Sequence, residues 1–171
     1  MASNKVRWVR NLFGATEPLR VLGKFEAGAT QAVKRGELIE LTADTNTSWT
    51  PMDSDFGGAA NVAIADEEIK SGDRMGFYWI IVPRPGDVFE FDLDTANNPA
   101  VGTVVYWSDS ETVSESGSNQ LGTVAGQEHY PDKQGHLADD APGDAGETLR
   151  NTSQVRITIL EAASYFAAMQ D

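Results

Sequence analysis

The stretch Met75 to Leu93, MGFYWIIVPRPGDVFEFDL, contains two hydrophobic segments separated by a segment with two prolines. The first segment, Gly76 to Val82, is rich in aromatic and β-branched residues and is too short for a typical helix. The second, Val88 to Leu93, alternates apolar and acidic residues, as a half-buried strand does. Proline has no N–H to donate to a β-ladder, and Gly86 tolerates a positive φ, so the chain should turn there. The pattern predicts a β-hairpin.

A glycine followed by an acidic residue and an apolar run recurs along the chain. The pattern occurs at Gly36-Glu37, Gly72-Asp73 and Gly86-Asp87, with irregular spacing. Such punctuation is typical of short strands in a small sandwich or barrel. We therefore predict a mainly β fold: a small β-sandwich or barrel with long loops, an extended N-terminal arm and at most short helices. The predicted strands lie near 37–42, 60–65, 75–82, 87–93, 101–107, 121–125 and 154–161.

Length and composition restrict the class of protein. With 171 residues the chain can bury a sizeable core, and without cysteine it forms no disulfide. No segment has the pattern of a secretory signal or reaches the ~18 apolar residues of a membrane span. The net charge of −13 disfavours nucleic acid as a general partner. We expect a protein made in a cytoplasm, with no membrane and no nucleic acid among its partners.

Charge divides the chain into two regions. Residues 1–36 carry seven basic and two acidic residues, whereas the rest of the chain is strongly acidic. We predict that residues 1–33 form an extended docking arm and that 34–171 form a single β-rich domain. The predicted long loops of that domain are 43–58, 108–120 and 126–152. The alternative is that the basic residues belong by chance to a first strand and its loop.

The predicted arm combines basic and large apolar side chains without the periodicity of a buried strand. Large apolar side chains are costly to leave in water, so they should contact a partner, in this chain or in another. The predicted partner-binding residues are Arg7, Trp8, Val9, Arg10, Leu12 and Phe13. On this hypothesis, removing residues 1–14 leaves the thermal midpoint of the isolated protein nearly unchanged.

Candidate catalytic and metal-binding groups are few. His129 and His136 lie in a polar segment and lack the spacing of a zinc site, and the acidic residues within 139–147 lack the order of a calcium loop. Glu90 and Asp92 could act as the paired carboxylates of a small hydrolase. The simpler interpretation is that Glu90 and Asp92, which alternate with apolar residues, form the solvated side of a strand. We predict no catalytic residue, no metal and no cofactor, and hence not an enzyme.

Two segments, AVKRGELIELT from Ala32 and ANVAIADEEIKSGDRMGFYWIIV from Ala60, resemble the head decoration, or capsid cement, proteins of tailed bacteriophages. The matching motifs are Gly36-Glu37, Val62 to Ala65 and Ser71-Gly72-Asp73. The resemblance implies a structural virion protein, commonly a homotrimer, that binds the major capsid protein and stabilises the assembled capsid. It also implies a location on the outer capsid surface, after synthesis in the host bacterial cytoplasm.

Two other functions stay open from the sequence. One is a carbohydrate- or receptor-binding β-module of a phage particle, and the other is the small hydrolase. The long loops 43–58 and 126–152 are longer than simple connections need, which favours contacts between subunits and hence a structural role.

Overall fold

The fold is entirely β in the part of the chain that the computed structural model describes, residues 6–25, 32–41, 48–52, 62–70, 76–94, 99, 102–125 and 154–159. The mainly β prediction is confirmed. The strands of these ranges are β1 (Arg7–Asn11), β2 (Arg20–Phe25), β3 (Leu38–Leu41), β4 (Trp49–Pro51), β5 (Val62–Ala65), β6 (Gly76–Ile81), β7 (Asp87–Leu93), β8 (Val104–Trp107), β9 (Thr112–Ser114), β10 (Gln120–Val124) and β11 (Gln154–Ile159).

These strands close into two five-stranded barrels. Barrel I contains β2 to β6 in the order β2-β4-β3-β5-β6, and barrel II contains β7 to β11 in the order β7-β9-β8-β10-β11. The first strand, β1, belongs to neither ring and pairs antiparallel with β7 at the side of barrel II. Closure pairs most of the backbone groups that an open sheet would leave at its edges.

The two barrels have the same topology. In each, the first strand pairs in parallel with the third and antiparallel with the fifth. The second strand pairs antiparallel with the third and the fourth, and the fourth pairs antiparallel with the fifth. The chain therefore contains an internal structural repeat, in which β2 corresponds to β7 and β6 corresponds to β11.

The interior of barrel I is filled by alternate residues of its strands. Ile39 on β3 and Ala63 on β5 belong to this interior cluster. Their neighbours Leu38 and Ile64 belong instead to a second cluster, which also contains the interior of barrel II. The wall formed by β3 and β5 is thus buried on both faces, which explains why its sequence is hydrophobic apart from the buried Glu40 on β3.

The predicted hairpin between β6 and β7 is wrong, because the two strands lie in different barrels. β6 pairs with β2 and β5, whereas β7 pairs with β1, β9 and β11. The Val82 N–H donates to the Leu19 carbonyl at 3.0 Å and extends the first ladder, while the Leu12 N–H donates to the Gly86 carbonyl at 2.8 Å and extends the second. The two prolines between these bonds continue neither ladder, so the predicted turn is a crossover.

Four strands lie in segments that the sequence predicts to be arm or loop. β1 and β2 fall within 1–33, β4 within 43–58 and β9 within 108–120. Since β2 belongs to barrel I, that barrel draws on both sides of the boundary predicted at residue 33. The predicted loop 126–152 and the candidate metal-binding residues in it lie outside the described residues.

Gly122 on β10 provides a test of how tightly barrel II is packed. A Cβ at this position would collide with the backbone carbonyl of Thr158 on β11 and would lie 3.1 Å from Ile157 Cδ1. Because backbone must move to make room, we expect Gly122→Ala to lower the free energy of unfolding by about 1–3 kcal/mol. Urea unfolding measures the change, with Thr123→Ala on the same strand as the control. Equal stability of Gly122→Ala and wild type would contradict the close approach of the two strands.

Candidate interaction surface

The first part of the predicted binding segment contacts this chain itself. β1 lies along β7, with Arg7 opposite Glu90 and Trp8 opposite Phe89. Val6, just before β1, is 5% exposed within the core cluster, and Trp8 packs against the same cluster. The large apolar side chains of β1 therefore find a partner in the same chain, which is one of the two possibilities that the sequence leaves open.

A buried carboxylate, Asp87, joins β1 to the crossover between the barrels. Its Oδ1 accepts hydrogen bonds from Trp8 Nε1 and from Asn11 Nδ2, both at 2.9 Å. Its Oδ2 accepts from the Arg84 backbone N–H at 2.9 Å and from Arg84 Nε at 3.1 Å. The Arg84 guanidinium also donates to the carbonyl of Glu17. A buried carboxylate is tolerated only when its oxygens are satisfied, so these bonds hold the N-terminal segment and the crossover together.

Glu90, the residue considered for hydrolase chemistry, is held between two arginines. Its Oε1 lies 2.7 Å from Arg7 Nη2 on β1, and its Oε2 lies 3.3 Å from Arg156 Nε on β11. The three side chains form an ion-pair row across three neighbouring strands. With a guanidinium on each oxygen, the arrangement favours cross-strand pairing over acid–base chemistry for Glu90.

The remaining predicted binding residues differ in exposure. Leu12 and Phe13, which follow β1, are 51% and 80% exposed. The Phe13 ring lies beside Gly86, where an added Cβ would be 2.5 Å from its Cδ2. Of the others, Arg7 and Arg10 are exposed and Val9 is half-buried. The residues that remain available on this side are thus chiefly Leu12 and Phe13.

A second exposed apolar surface lies on the outer wall of barrel I. We call it the apolar strip, and it consists of Leu22 on β2 with Phe77 and Trp79 on β6, which are 54%, 67% and 47% exposed. Leu22 and Trp79 lie directly opposite each other across the two strands. The strip was missed from the sequence, since the run Phe77-Tyr78-Trp79 is aromatic throughout and hides which residues face outward.

Basic residues flank the apolar strip on β2. Arg20 and Lys24 are two residues to either side of Leu22, and alternation along the strand places all three on the same face. Arg20 Nε lies 2.6 Å from Asp66 Oδ2, and Arg35 Nη2 lies 3.0 Å from Asp66 Oδ1. The surface around the strip therefore combines exposed apolar area with basic groups, of which Arg20 and Arg35 share the Asp66 carboxylate.

Carboxylates gather where the segment between β8 and β9 meets barrel I. The Leu38 N–H donates to the Ser110 carbonyl at 2.9 Å and fixes this contact. Burial raises the pKa of Glu111 above its ordinary value, and Glu37 raises it further. Lys34 lowers this pKa in part, while Asp109 and Asp92 add smaller upward effects.

The raised pKa of Glu111 gives a prediction for stability against pH. The folded state binds the Glu111 proton more tightly than the unfolded state does, so this contribution to stability is present at low pH and is lost as pH rises through the raised pKa. We expect Glu111→Gln to stabilise the protein at pH 7 by at most about 0.5 kcal/mol, since solvent screens the group, and to have a smaller effect near pH 4. Urea unfolding at both pH values measures the difference, with Glu68→Gln on the surface as the control. A larger gain at the lower pH would contradict the assignment.

The described ranges show neither a metal centre nor a membrane-spanning helix. They contain no group of three or more histidine, aspartate or glutamate side chains able to hold a metal ion. The histidines considered from the sequence, His129 and His136, lie outside these ranges. The same ranges contain no helix that is long and apolar enough to cross a membrane.

Comparisons with protein-family models, with curated proteins and with solved structures found no match. The resemblance to capsid decoration proteins thus stays a prediction from the motifs. The geometry adds two barrels, and the outer wall of barrel I exposes aromatic and aliphatic side chains.

Proposed function

We propose that this chain is a non-enzymatic structural protein that docks on the outer surface of an assembled bacteriophage capsid and stabilises it. The observation that carries the proposal is the apolar strip of Leu22, Phe77 and Trp79, which is exposed on an outer barrel wall. Adjacent exposed apolar side chains mark interaction sites, and tryptophan is enriched among the residues that dominate binding energy. The motif resemblance specifies the surface as a capsid and the partner as the major capsid protein.

The strip is suited to docking because its backbone is already fixed. β6 pairs with β2 on one side and with β5 on the other, and the Trp79 N–H donates to Glu67 Oε1 at 2.6 Å. Binding through a preorganised surface costs less conformational entropy than binding through a segment that must first become ordered. A small contact area per copy is then sufficient for docking on the capsid.

Stabilisation of a particle follows from mass action. A protein that binds only the assembled state stabilises it by about 2.7 kcal/mol per site at a hundredfold excess over Kd. Many equivalent sites on one particle add their contributions. The proposal includes self-association as a homotrimer, through the predicted loops 43–58 and 126–152, and a place on the outer face of the virion.

Binding of purified protein to capsids that lack it tests the proposal. We expect the double variant Phe77→Ala/Trp79→Ala to bind at least about a hundredfold more weakly than wild type, as for central interface aromatics. The comparison variant Leu12→Ala/Phe13→Ala removes the exposed apolar area after β1, which the sequence predicts to bind as well, and shows whether that area contributes. Circular dichroism shows whether each variant is folded. Equal binding of the Phe77/Trp79 variant and wild type would remove the strip from the docking surface.

Heating the particles tests the stabilising role separately. At saturating occupancy, wild-type protein should raise the temperature at which the capsids rupture. Particles with and without the protein that rupture at the same temperature would rule out a cement function, even if binding were strong. Sedimentation of the free protein measures its oligomeric state and so tests the proposed trimer.

Carbohydrate binding is the second candidate function, and the spacing of the aromatic residues in the strip favours it. Phe77 and Trp79 are alternate residues of one strand, so their Cα atoms are about 7 Å apart on the same face. Two aromatic faces at this spacing could stack on a sugar chain. Calorimetric titration with polysaccharide from the host surface tests the idea, and binding that persists in Phe77→Ala/Trp79→Ala would exclude these rings as the site.

A further inference from the structure

Comparison of the two barrels shows that barrel II has a strand for which barrel I has no counterpart among the described residues. On β7, the parallel partner β9 reaches only Asp92 and Leu93. The preceding part of the same edge, from Asp87 to Glu90, pairs with β1. The first strand of barrel II is thus covered by two successive partners, with only Phe91 between them unpaired on this edge.

The corresponding edge in barrel I is covered only at its end. The parallel partner β4 meets β2 at a single pair, Phe25 opposite Trp49. The place that β1 occupies on β7 corresponds to the stretch from Leu19 to Leu22, and no strand of the described residues pairs with it on that side. This stretch is the open edge of β2.

Hydrogen-bond alternation shows which groups the open edge presents. The bond from the Val82 N–H to the Leu19 carbonyl marks a hydrogen-bonded pair of the β2–β6 ladder. In an antiparallel ladder such pairs alternate with pairs whose backbone groups point away from each other. The N–H and C=O groups of Val21 therefore point toward β6, and those of Leu22 point toward the open side. The N–H and C=O groups of Arg20 and Leu22 are therefore directed toward an incoming strand.

We propose that the open edge of β2 binds an extended segment of a partner protein by strand addition, antiparallel to β2, as β1 lies on β7. Strand addition takes affinity from main-chain hydrogen bonds and specificity from alternate side chains. The inference rests on the proposed docking function for the identity of the partner, and it names the kind of segment that docks.

The side chains around the edge specify an apolar residue and an acidic one two positions further along. In barrel II, Arg7 lies opposite Glu90 and completes a charged row with Arg156. The corresponding row in barrel I has Leu22 and Trp79 in the places of Glu90 and Arg156. An apolar side chain in the incoming strand would pack on both of these residues. An acidic side chain two positions further along would face Arg20, while β4 already occupies the edge beyond Leu22 at Phe25.

The same reasoning disfavours β1 of a second copy as the occupant. In the register that β1 uses on β7, Arg7 would lie opposite Leu22, and Arg10, which pairs with Val88, would lie opposite Arg20. Like charges directly across a strand pair are destabilising. The complementary segment is therefore acidic and apolar rather than basic.

A synthetic peptide provides the test with the full chain and without any particle. The probe is acetyl-Thr-Val-Thr-Glu-Thr-amide, which places valine opposite Leu22 and glutamate opposite Arg20, stops short of Phe25 where β4 pairs, and uses threonine for its preference for strands. Hydrogen exchange of the isotope-labelled protein should slow by at least about tenfold at the amides of Arg20 and Leu22 when peptide is added, with little change at Val21. A peptide copying residues 6–12 of the chain should give no protection.

Two variants separate main-chain from side-chain recognition. Leu22→Pro removes an N–H that the β2–β6 ladder does not use, so barrel I should remain folded while peptide affinity falls at least about tenfold. Leu22→Thr keeps the N–H and should weaken binding less, and it serves if the proline variant fails to fold.

Several outcomes would overturn strand addition at this edge. These are equal affinity of Leu22→Pro and wild type, protection centred outside β2, or binding of the basic peptide as well as the acidic one. Self-association of the wild type with protection of the Leu22 amide would assign the edge to a second copy instead. Peptide binding without capsid binding would retain the edge and reject the capsid as partner. Capsid binding that needs Phe77 and Trp79, without peptide binding, would retain the capsid as partner and reject strand addition at the open edge.

Discussion

Deleting residues 1–14 should lower the free energy of unfolding by about 3–5 kcal/mol, because the deletion removes core side chains and leaves a buried charge short of partners. Val6 is 5% exposed and Trp8 packs against the same core cluster. Loss of Trp8 and Asn11 also takes away two donors to the Asp87 carboxylate. The edge of β7 that β1 covers would be opened at the same time.

Urea unfolding of the deletion variant measures this effect. The control is Leu12→Ser/Phe13→Ser, which changes the exposed residues of the same segment and should shift stability by no more than about 0.5 kcal/mol. An unchanged midpoint after deletion is the result expected for an independent docking arm. It would show that β1 contributes nothing to stability, contrary to its contacts with β7.

Replacing Asp87 by alanine should cost about 3–5 kcal/mol of stability, which is typical when one partner of a buried ion pair is removed. The side chain of Asp87 is 0% exposed and that of Arg84 is 23% exposed. The substitution leaves the Arg84 guanidinium without its carboxylate. It also leaves the donors on Trp8 and Asn11 without the acceptor that they share.

Two comparisons make the Asp87 experiment specific. Glu68→Ala removes an exposed carboxylate and should change stability by no more than about 0.5 kcal/mol. Asp87→Asn keeps the shape of the side chain but replaces an acceptor oxygen by a donor that would face other donors, so most of the loss should remain. Full stability of the asparagine variant would mean that the negative charge is unimportant at this position.

The local patterns in the sequence are sufficient to predict the strands of the core but not how they pair. β7 has the alternation expected from Val88 to Leu93, and β6 lies within the first apolar segment. A turn between two strands favours a hairpin when only the local sequence is considered. The actual partners, β2 for β6 and β11 for β7, lie far along the chain in each case. Periodicity within one segment does not reveal partners that are so distant in the sequence.

The internal repeat is hidden because the two barrels fill equivalent interior positions differently. Trp49 of barrel I and Val113 of barrel II both lie beside the first strand of their barrel. Two residues before the position that pairs with them, the first strand has Gly23 in barrel I and Phe91 in barrel II. A Cβ on Gly23 would be 2.7 Å from Trp49 Cδ1, so the large side chain requires the small one. Exchange of large and small residues between these positions removes sequence similarity.

The candidate surface was predicted only in part, for related reasons. The register of β1 shifts between Trp8 and Arg10, and this irregularity removes the alternation by which a strand is recognised. Phe77 and Trp79 lie within the predicted strand 75–82, which β6 confirms. Their outward direction depends on the pairing with β2, which no local pattern gives.

The continuity of each barrel in the chain has a consequence for biosynthesis. Residues 20–81 supply every strand of barrel I, and barrel II begins only at residue 87. A nascent chain thus releases the strands of barrel I before the first strand of barrel II has been made, and domains generally fold in that order on the ribosome. β1 is the exception, because it is translated first and yet pairs with a strand that begins at residue 87. Until β7 has been synthesised, Trp8 of β1 lacks the Asp87 carboxylate to which it donates in the folded protein.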